Sequence, residues 1–428
     1  MYDVVVVGAR CAGAPLAMLL ARRGYRVLVV DRAHFPSDRM STHYLQPGGL
    51  RRLRRWGLLD RLIATGCPPI TEAVWWIGDS LVTGFAPPSG GVNAAYAPRR
   101  TVLDAMLVDA AREAGAEVRE GYTVRTLLTE DGRVTGLRGR QEGGPTESIR
   151  ARLVVGADGR HSLVARSVEA ASYRNRPALS VVYYTYWRGL SSRWQGRNEV
   201  FIGGDHQIGV IPTHDDAYLV QAARPRSFLA EYRSDIERHY HASIAAVAPD
   251  LARELTGPAV QVAGFSGTGA LENYYRKPFG PGWALVGDAG FHKDPMTGQG
   301  ISDAWRDVDL LADATDSWLA GRQEFGTAMA HYENTRNAES DMLYDFTCEA
   351  ASFQFDPLTT QLVRVLAEDR ALADQFFGVI AGTVPPVDFF SPENLLEMLS
   401  RLPADAFGDD EALLANQTPG DHARMPAR

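Results

Sequence analysis

The chain has 428 residues, of which 45% are hydrophobic and 22% are charged, and its formal net charge is −8 at pH 7. This size and composition predict an ordinary globular protein with more than one packed unit. The net negative charge argues against a nucleic-acid partner, because such a surface needs clustered positive charge to displace counterions from phosphates.

The first 31 residues have the pattern of a βαβ unit. Buried strands are predicted at residues 4–7 and 27–30, with a helix between them. The first turn reads GARCAG (residues 8–13), which is G-x-G-x-x-G with Arg10 in place of the middle glycine. Asp31 closes the second strand, where a carboxylate can accept hydrogen bonds from ribose hydroxyls. Together these features favour nucleotide binding over a glycine turn that binds nothing.

Beyond Asp31, helical segments alternate with strand-like segments that are rich in aromatic residues. A helix is predicted around residues 50–63, with its arginine run on the solvated face. Residues 178–270 are predicted to form strands, and the chain is predicted to be helical from about Asn337, with a loosely ordered polar end after Ala406. An α/β unit is therefore interrupted twice by β-rich insertions that we expect to pack together as one second domain. The predicted domains are residues 1–72, 99–175 and 271–336; residues 73–98 and 176–270; and residues 337–428.

Two more predicted strands end in glycine–aspartate turns. Residues 153–162 read LVVGADGRHS, and residues 283–290 read WALVGDAG, followed by DPMTGQGISDA (residues 294–304) and a helix. Each turn alone is an ordinary exit from a strand, because aspartate and glycine are favoured in turns. Three such turns in this order favour a functional role over three ordinary strand exits.

With these motifs, about the first 330 residues resemble the flavoprotein monooxygenase superfamily of the para-hydroxybenzoate hydroxylase type. Its relatives include the geranylgeranyl reductases and the flavin-dependent halogenases. The resemblance implies an α/β fold, in which a Rossmann-like FAD-binding domain of the glutathione-reductase type is interrupted by a β-sheet substrate domain and followed by a helical C-terminal region. It also implies FAD as cofactor, NAD(P)H as transient electron donor, and a small-molecule substrate and O₂ as partners. The oligomeric state stays open.

The resemblance further implies a role for each motif. The first turn would bind the ADP pyrophosphate, Asp31 the adenosine ribose, and Asp288 the ribityl chain, while the turn after the 153–156 strand would support flavin and nicotinamide. The 295–301 loop and the following helix start would lie against the pyrimidine end of the isoalloxazine, where backbone N–H groups stabilise negative charge on reduced flavin. The cofactor-binding residues predicted in this way are Gly8, Arg10, Cys11, Ala12, Gly13, Asp31, Arg32, Arg39, Met40, Ser41, Arg100, Val124, Ala157, Asp158, Gly159, Gly287, Asp288, Pro295, Gly298, Gly300 and Ile301.

No catalytic residue is assigned, because no pair of acid, base or nucleophile stands out. His43, His292 and Tyr96 are candidates for tuning the flavin or contacting the substrate. We interpret Arg10 as a tolerated substitution whose side chain lies along the phosphates. Aromatic residues of the insertions are candidates for a substrate pocket, although alternate strand residues must face elsewhere; these residues are Trp75, Trp76, Tyr96, Tyr183, Tyr184, Tyr186, Trp187 and Phe201.

Among the family's chemistries, we favour a monooxygenase that transfers oxygen to an aromatic or other apolar substrate through a flavin C4a-hydroperoxide. A reductase or dehydrogenase of the geranylgeranyl-reductase type is the alternative, and a non-enzymatic flavin-binding redox sensor is the alternative from another class. A halogenase is less favoured, since the chain contains only Lys277 and Lys293, and both tryptophans of the halogenase motif are missing from residues 207–212. We expect Lys293 to be a loop lysine that reaches solvent.

The three cysteines and the amino terminus indicate the cellular setting. The spacing of the cysteines, Cys11, Cys67 and Cys348, is not that of metal ligands, and a disulfide between any two of them would leave the third unpaired. We therefore expect neither a metal site nor a disulfide framework. The first hydrophobic region ends at Asp31, before a helix could span a bilayer. We therefore expect a cytoplasmic protein without stable membrane insertion, whose C-terminal region caps the pocket or forms a subunit contact.

Overall fold

A computed structural model describes residues 1–355 and 357–402 of the chain. The polar end after Ala406, predicted to be loosely ordered, lies outside the described residues. The strands, numbered in chain order, are β1 (Tyr2–Val7), β2 (Val27–Val30), β3 (Glu72–Ile77), β4 (Ser80–Gly84), β5 (Glu117–Arg119), β6 (Tyr122–Glu130), β7 (Arg133–Gln141), β8 (Thr146–Gly156), β9 (Ser172–Arg176), β10 (Ser180–Arg188), β11 (Arg197–Gly203), β12 (His206–Pro212), β13 (Tyr218–Pro225), β14 (Val260–Gln261), β15 (Ser266–Thr268), β16 (Asn273–Arg276), β17 (Phe279–Gly280), β18 (Trp283–Leu285) and β19 (Phe291–His292).

Helices cover the sheets and form the last part of the described chain. They are α1 (Gly13–Arg22), α2 (Pro47–Arg55), α3 (Leu59–Ile63), α4 (Arg100–Glu113), α5 (Leu163–Ser167), α6 (Leu229–Ser234), α7 (Ile236–Val247), α8 (Pro249–Thr256), α9 (Gly300–Leu319), α10 (Phe325–Ala351), α11 (Pro357–Glu368), α12 (Arg370–Ala381), α13 (Pro386–Phe389) and α14 (Pro392–Ser400).

The first sheet is built around β1, whose residues Val4–Val7 are buried on both faces. Its strand order is β17-β18-β8-β1-β2-β5, in which the five strands from β18 to β5 run parallel to one another. Strand β17 pairs with β18 in the antiparallel direction, and β7 does the same with β8. Helices α1, α4 and α9 pack together on one side of it. A mainly parallel sheet with a βαβ unit at its centre confirms the predicted α/β fold class.

The second sheet joins the two β-rich insertions. Its order is β14-β10-β13-β12-β11-β3-β4, and β3 pairs with β11 in parallel. The prediction that residues 178–270 form strands throughout is wrong for residues 229–256, which form α6, α7 and α8. Apolar side chains recur there at helical spacing, and Tyr232, Tyr240, Ile244 and Leu251 cover one face of the sheet.

The C-terminal helices pack on the edge of the second sheet. Helices α11 and α12 cover β4, and their apolar side chains form a cluster with Trp75 and Val82. Helix α10 begins at Phe325 and continues through the boundary predicted at residues 336 and 337. The C-terminal helices therefore contact both predicted domains.

Candidate functional site

The carboxyl ends of four parallel strands open into one cavity of about 920 Å³. The strands are β1, β2, β8 and β18, and the turn that follows each of them contributes residues to the cavity wall. Ligands of open parallel sheets bind in this crevice. All of the predicted cofactor-binding residues except Gly13 line the cavity, so the motifs that are far apart in sequence do converge.

Two glycines of the first turn are required by its shape. Gly8 has φ +101°, and a Cβ atom there would overlap the carbonyl oxygen of Ala157. Gly13 begins α1, and a Cβ atom there would overlap the carbonyl oxygen of Gly8. Gly13 therefore lets the helix pack closely against the turn, which accounts for its position outside the cavity wall.

Arg10, the residue in place of the middle glycine, forms part of a charged cluster around Asp104. Its guanidinium lies 2.7 Å from a carboxylate oxygen of Asp104 and also donates to the hydroxyl of Ser37. Arg100 donates to both oxygens of the same carboxylate at 3.0 Å, and the Cys11 thiol lies 3.3 Å from it. Because Asp104 is fully buried, it holds both guanidinium groups in fixed positions on the cavity wall. Asp104 was not predicted, although it follows Arg100 by one helical turn.

Asp31 and Asp158 both use their carboxylates to shape backbone. Asp31 accepts hydrogen bonds from the N–H groups of Ala9 and Ala33, which ties the end of β2 to the first turn. Asp158 accepts from the Ser162 hydroxyl and from the N–H of Leu163, at the start of α5. Burial raises the pKa of Asp158, while these hydrogen bonds act in the opposite direction.

Asp288 differs from the other two aspartates. Among the described residues, its carboxylate has no hydrogen-bond or ion-pair partner, although the residue lines the cavity. Its backbone is held in place, since the Tyr274 hydroxyl donates to its carbonyl oxygen at 2.7 Å. A carboxylate that is held on the wall with its acceptors free is suited to hydroxyl groups of a ligand.

The loop between β19 and α9 is fixed from several directions. Asp294 accepts from the N–H of Met296 and from the Ser180 hydroxyl, and its own N–H donates to Asn273. Burial raises the pKa of Asp294 to about 6. Gly298 has φ +64°, which brings the chain to the start of α9 facing the cavity. The first N–H groups of a helix have no acceptor within it and favour a negative charge there.

The expectation that Lys293 reaches solvent is wrong. Its side chain is 2% exposed, its ammonium group lies 3.1 Å from Asp303, and it also donates to Gln299. Gln299 in turn donates to the carbonyl oxygen of Ile380 in α12, and Arg306 shares the carboxylate of Asp303. Burial lowers the pKa of Lys293, although Asp303 opposes this effect. Contacts with α9 and α12, which are distant in sequence, decide where this lysine lies.

Of the three candidate substrate or flavin contacts, two line the cavity. His43 has φ +43°, is buried, and its Nε2 lies 2.9 Å from the Tyr186 hydroxyl. Burial lowers the pKa of His43 to about 3, and nearby guanidinium groups add to this effect, so its ring is neutral. His292 lies on β19, and its Nδ1 is 2.6 Å from the carbonyl oxygen of Glu272. Tyr96 is buried in the core beside the first sheet and does not line the cavity.

The second sheet supplies one wall of the same cavity. Among the aromatic candidates, only Tyr184 lines it, next to Val182 on β10. The other aromatic side chains pack elsewhere: Tyr183, Trp187 and Phe201 lie under the helices of this unit. Cavity residues outside the predicted cofactor-binding set include Thr42, Tyr44, Arg160, His161, Arg166, Gly267, Thr268, Leu271, Phe291, Lys293, Asp303 and Asp307.

The cavity fits FAD on three independent features of the chain. The glycine turn after β1 admits a close backbone approach, the guanidinium groups of Arg10 and Arg100 offer positive charge beside it, and Asp288 offers free acceptors on the same cavity wall. The start of α9, which also lines the cavity, can stabilise a negative charge. A dinucleotide with two phosphates, a polyol chain and an acidic ring system has groups that match each of these features.

Other classes of site find no support in the described chain. Within residues 1–355 and 357–402, no group of three or more histidine, cysteine, aspartate or glutamate side chains is placed to hold a metal ion. Over the same residues, none of the helices has the length and apolar character that crossing a bilayer requires. The three cysteines are buried and form no disulfide.

Comparison with known proteins gives one family and several relatives. The family model described as "FAD binding domain" matches residues 1–347. Kynurenine 3-monooxygenase of Salinispora tropica is 26% identical over 434 residues, which cover 90% of this chain and 88% of that protein. Digeranylgeranylglycerophospholipid reductase 1 of Methanococcoides burtonii is 28% identical over 327 residues, which cover 73% of each. Among solved structures, the myxobacterial chondrochloren halogenase, described as a new variant of FAD-dependent halogenases, superposes with a TM-score of 0.75 at 24% identity and covers 95% of this chain and 98% of its own.

By their names, these relatives are a monooxygenase, a reductase and a halogenase. The family match spans most of the chain and includes every turn that lines the cavity. The protein is therefore a member of the FAD binding domain family and an enzyme, an FAD-dependent oxidoreductase.

Proposed function

We propose that the protein is an NAD(P)H-dependent monooxygenase acting on an apolar small molecule. One oxygen atom of O₂ would enter a C–H bond of the substrate as a hydroxyl group, and the other would leave as water. NAD(P)H would supply the two electrons, and a proton from solvent would complete the balance. Bound FAD supplies the hydride acceptance and O₂ activation that protein side chains lack.

The observation that carries this proposal is the position of the second sheet at the cofactor cavity. Val182, Tyr184 and Leu271 line the same cavity as the glycine turn and Asp288, so an apolar substrate wall adjoins the dinucleotide site. In the described residues of this wall, no nucleophile pairs with a base. Positioning a substrate beside a reactive cofactor can supply the needed rate acceleration without such a pair.

The chain's own groups divide the remaining work. Arg10 and Arg100, held by Asp104, would neutralise the diphosphate, and Asp288 would bind the polyol chain. The start of α9 would stabilise the negative charge of the reduced cofactor. The loop clamped by Asp294 would keep that helix end fixed relative to β10.

Two features argue against a halogenase. The family's halogenases use a lysine to carry the hypohalous equivalent, and the lysine that lines this cavity is already paired with Asp303. Residues 207–212 form β12 in the second sheet, where Gln207 donates to the Met296 carbonyl oxygen at 3.4 Å. Neither Lys293 nor strand β12 therefore places a free amine beside the apolar wall, as a halogenase would require.

The test begins with the purified protein and added FAD. We expect a yellow holoprotein that oxidises NADPH or NADH with uptake of O₂, faster in the presence of 1-naphthol, indole or L-kynurenine as probes. With ¹⁸O₂, one labelled oxygen atom should appear in the hydroxylated probe. Hydride transfer to or from a probe without O₂ uptake would instead identify a reductase or dehydrogenase, and halide-dependent product would identify a halogenase. Failure to bind FAD would contradict all three.

A further inference from the structure

His292 is held in one orientation by a short β-bridge and one hydrogen bond. Strand β19 pairs with β16, which sets His292 opposite Tyr274, and the two rings lie 5.8 Å apart. Nδ1 of His292 is 2.6 Å from the carbonyl oxygen of Glu272. A carbonyl oxygen only accepts, so Nδ1 must carry the proton.

This tautomer leaves Nε2 with a lone pair. Among the described residues, Nε2 has no hydrogen-bond partner, although His292 is only 8% exposed and lines the cavity. Burial lowers the pKa of His292, an effect to which Arg160 adds and which Asp288 opposes, so the ring is neutral near pH 7. Because His292 lines the cavity, a donor group of a bound ligand can pair with this lone pair, whereas a ligand that excludes water without offering a donor would leave it unpaired.

The surroundings of His292 on the cavity wall include two charged residues, Asp288 and Arg160, and the apolar residue Leu271. Leu271 precedes the residue that holds Nδ1, and it packs with Val182 in one cluster that belongs to the substrate side of the cavity. Nε2 of the neutral imidazole is therefore a polar acceptor at the edge of the apolar part of the cavity wall. Such a site rejects ligands that lack the matching donor, because the acceptor would then stay unpaired.

We propose that Nε2 of His292 accepts a hydrogen bond from a hydroxyl or N–H group of the substrate. This deepens the proposed monooxygenase function, on which it rests. The substrate class is an apolar ring or unsaturated molecule that carries such a donor next to the carbon to be oxidised. His292 is in this sense a residue that determines specificity and orients the substrate.

The test uses two substitutions that each keep one nitrogen's role. In His292→Asn, the amide N–H can still donate to Glu272, but the acceptor at the Nε2 position is gone. In His292→Gln, the longer side chain offers an oxygen near the Nε2 position and gives up the bond to Glu272. If His292 is only structural, the asparagine variant should behave like the wild type and the glutamine variant should be impaired. If Nε2 accepts a hydrogen bond from the substrate, the asparagine variant should lose ligand selectivity and the glutamine variant should keep it.

Ligand binding is measured on FAD-loaded protein without reductant, by the change in flavin absorbance. The probes are 1-naphthol against 1-methoxynaphthalene, and indole against 1-methylindole. In the wild type we expect the donor-bearing probe of at least one pair to bind about three- to tenfold tighter than its methylated partner. His292→Asn should abolish this preference with unchanged melting temperature, and His292→Gln should retain most of it.

The outcomes separate the two proposals. A wild-type protein that binds no FAD would overturn the proposed function itself. A protein that binds FAD and shows no preference within either pair, or a His292→Asn variant that keeps the preference, would overturn the assignment of His292 alone. Because asparagine preserves the bond to Glu272, this variant decides the question even if the glutamine variant does not fold.

Discussion

Replacing Asp104 by asparagine tests the charge cluster that takes the place of the missing glycine. The carboxylate is fully buried, accepts three N–H bonds from two guanidinium groups, and has the Cys11 thiol at 3.3 Å. Asparagine keeps the shape but leaves Arg10 and Arg100 facing a neutral amide. Removing one partner from a buried ion pair costs about 3–5 kcal/mol, so we expect a loss of this size in the free energy of unfolding without cofactor.

Asp109 provides the matched control on the same helix. Its side chain is 49% exposed and pairs with Arg112 at the surface, where such pairs contribute about 0–1 kcal/mol. Unfolding by urea should therefore separate Asp104→Asn from Asp109→Asn by several kcal/mol in the cofactor-free protein. With FAD bound, the gap should narrow, because the diphosphate supplies negative charge beside the same arginines.

Two results would refute this reasoning. If both variants unfold at the same urea concentration without FAD, the Asp104 cluster contributes no net stability. If saturating FAD widens the gap instead of narrowing it, the diphosphate does not lie beside Arg10 and Arg100, and the cofactor orientation given above is wrong.

Three further predictions concern single positions. Gly8→Ala should abolish FAD binding, because the positive φ of the turn and the overlap with a carbonyl oxygen leave no room for a Cβ atom. Arg10→Gly should change the FAD dissociation constant by less than about tenfold, or about 1.4 kcal/mol. Equal losses of FAD affinity in a flavin-fluorescence titration of the two variants would contradict this contrast. Lys293→Met should lower the free energy of unfolding in urea by about 3 kcal/mol, because it removes one partner of the buried Asp303 carboxylate. Substitution of the exposed Lys277 by methionine serves as the control. Equal urea midpoints for the two variants would show that the buried Lys293–Asp303 pair does not stabilise the protein. His43 stays neutral in the folded protein with a pKa of about 3, whereas in the unfolded chain it takes up a proton as the pH falls below 6.5. Between pH 7.5 and pH 5, the free energy of unfolding of the wild type should therefore fall by about 2 kcal/mol more than that of His43→Asn. Parallel pH profiles of the two proteins would show that His43 titrates normally.

The convergence of the motifs was predictable because it depends on short-range patterns. Each motif follows a buried strand, and carboxyl ends of parallel strands share one edge of a sheet. Four turns that are separated by up to 280 residues therefore had to meet if their strands were neighbours, as β2, β1, β8 and β18 are. The glycine requirement at Gly8 follows from the same turn.

The burial of Lys293 and the exclusion of Tyr96 from the cavity were not predictable in this way. Lys293 sits in a loop, and its local sequence favours exposure. Its burial depends on Asp303 in the first turns of α9 and on Gln299, which is held by Ile380 of the C-terminal helices. Such contacts depend on how distant helices pack, which no local spacing records.

Arg10 shows how a local departure from a motif can be matched far along the chain. Its backbone stays in the turn and accepts the N–H of Ala14, as the fingerprint requires, while its side chain leaves the turn toward α4. There Asp104 already holds Arg100, so the substitution adds a second guanidinium to an existing carboxylate rather than a free charge. The first turn and the arginine at the start of α4 are therefore joined in one charged cluster, so the effect of Arg10 on the turn depends on a helix about 90 residues away.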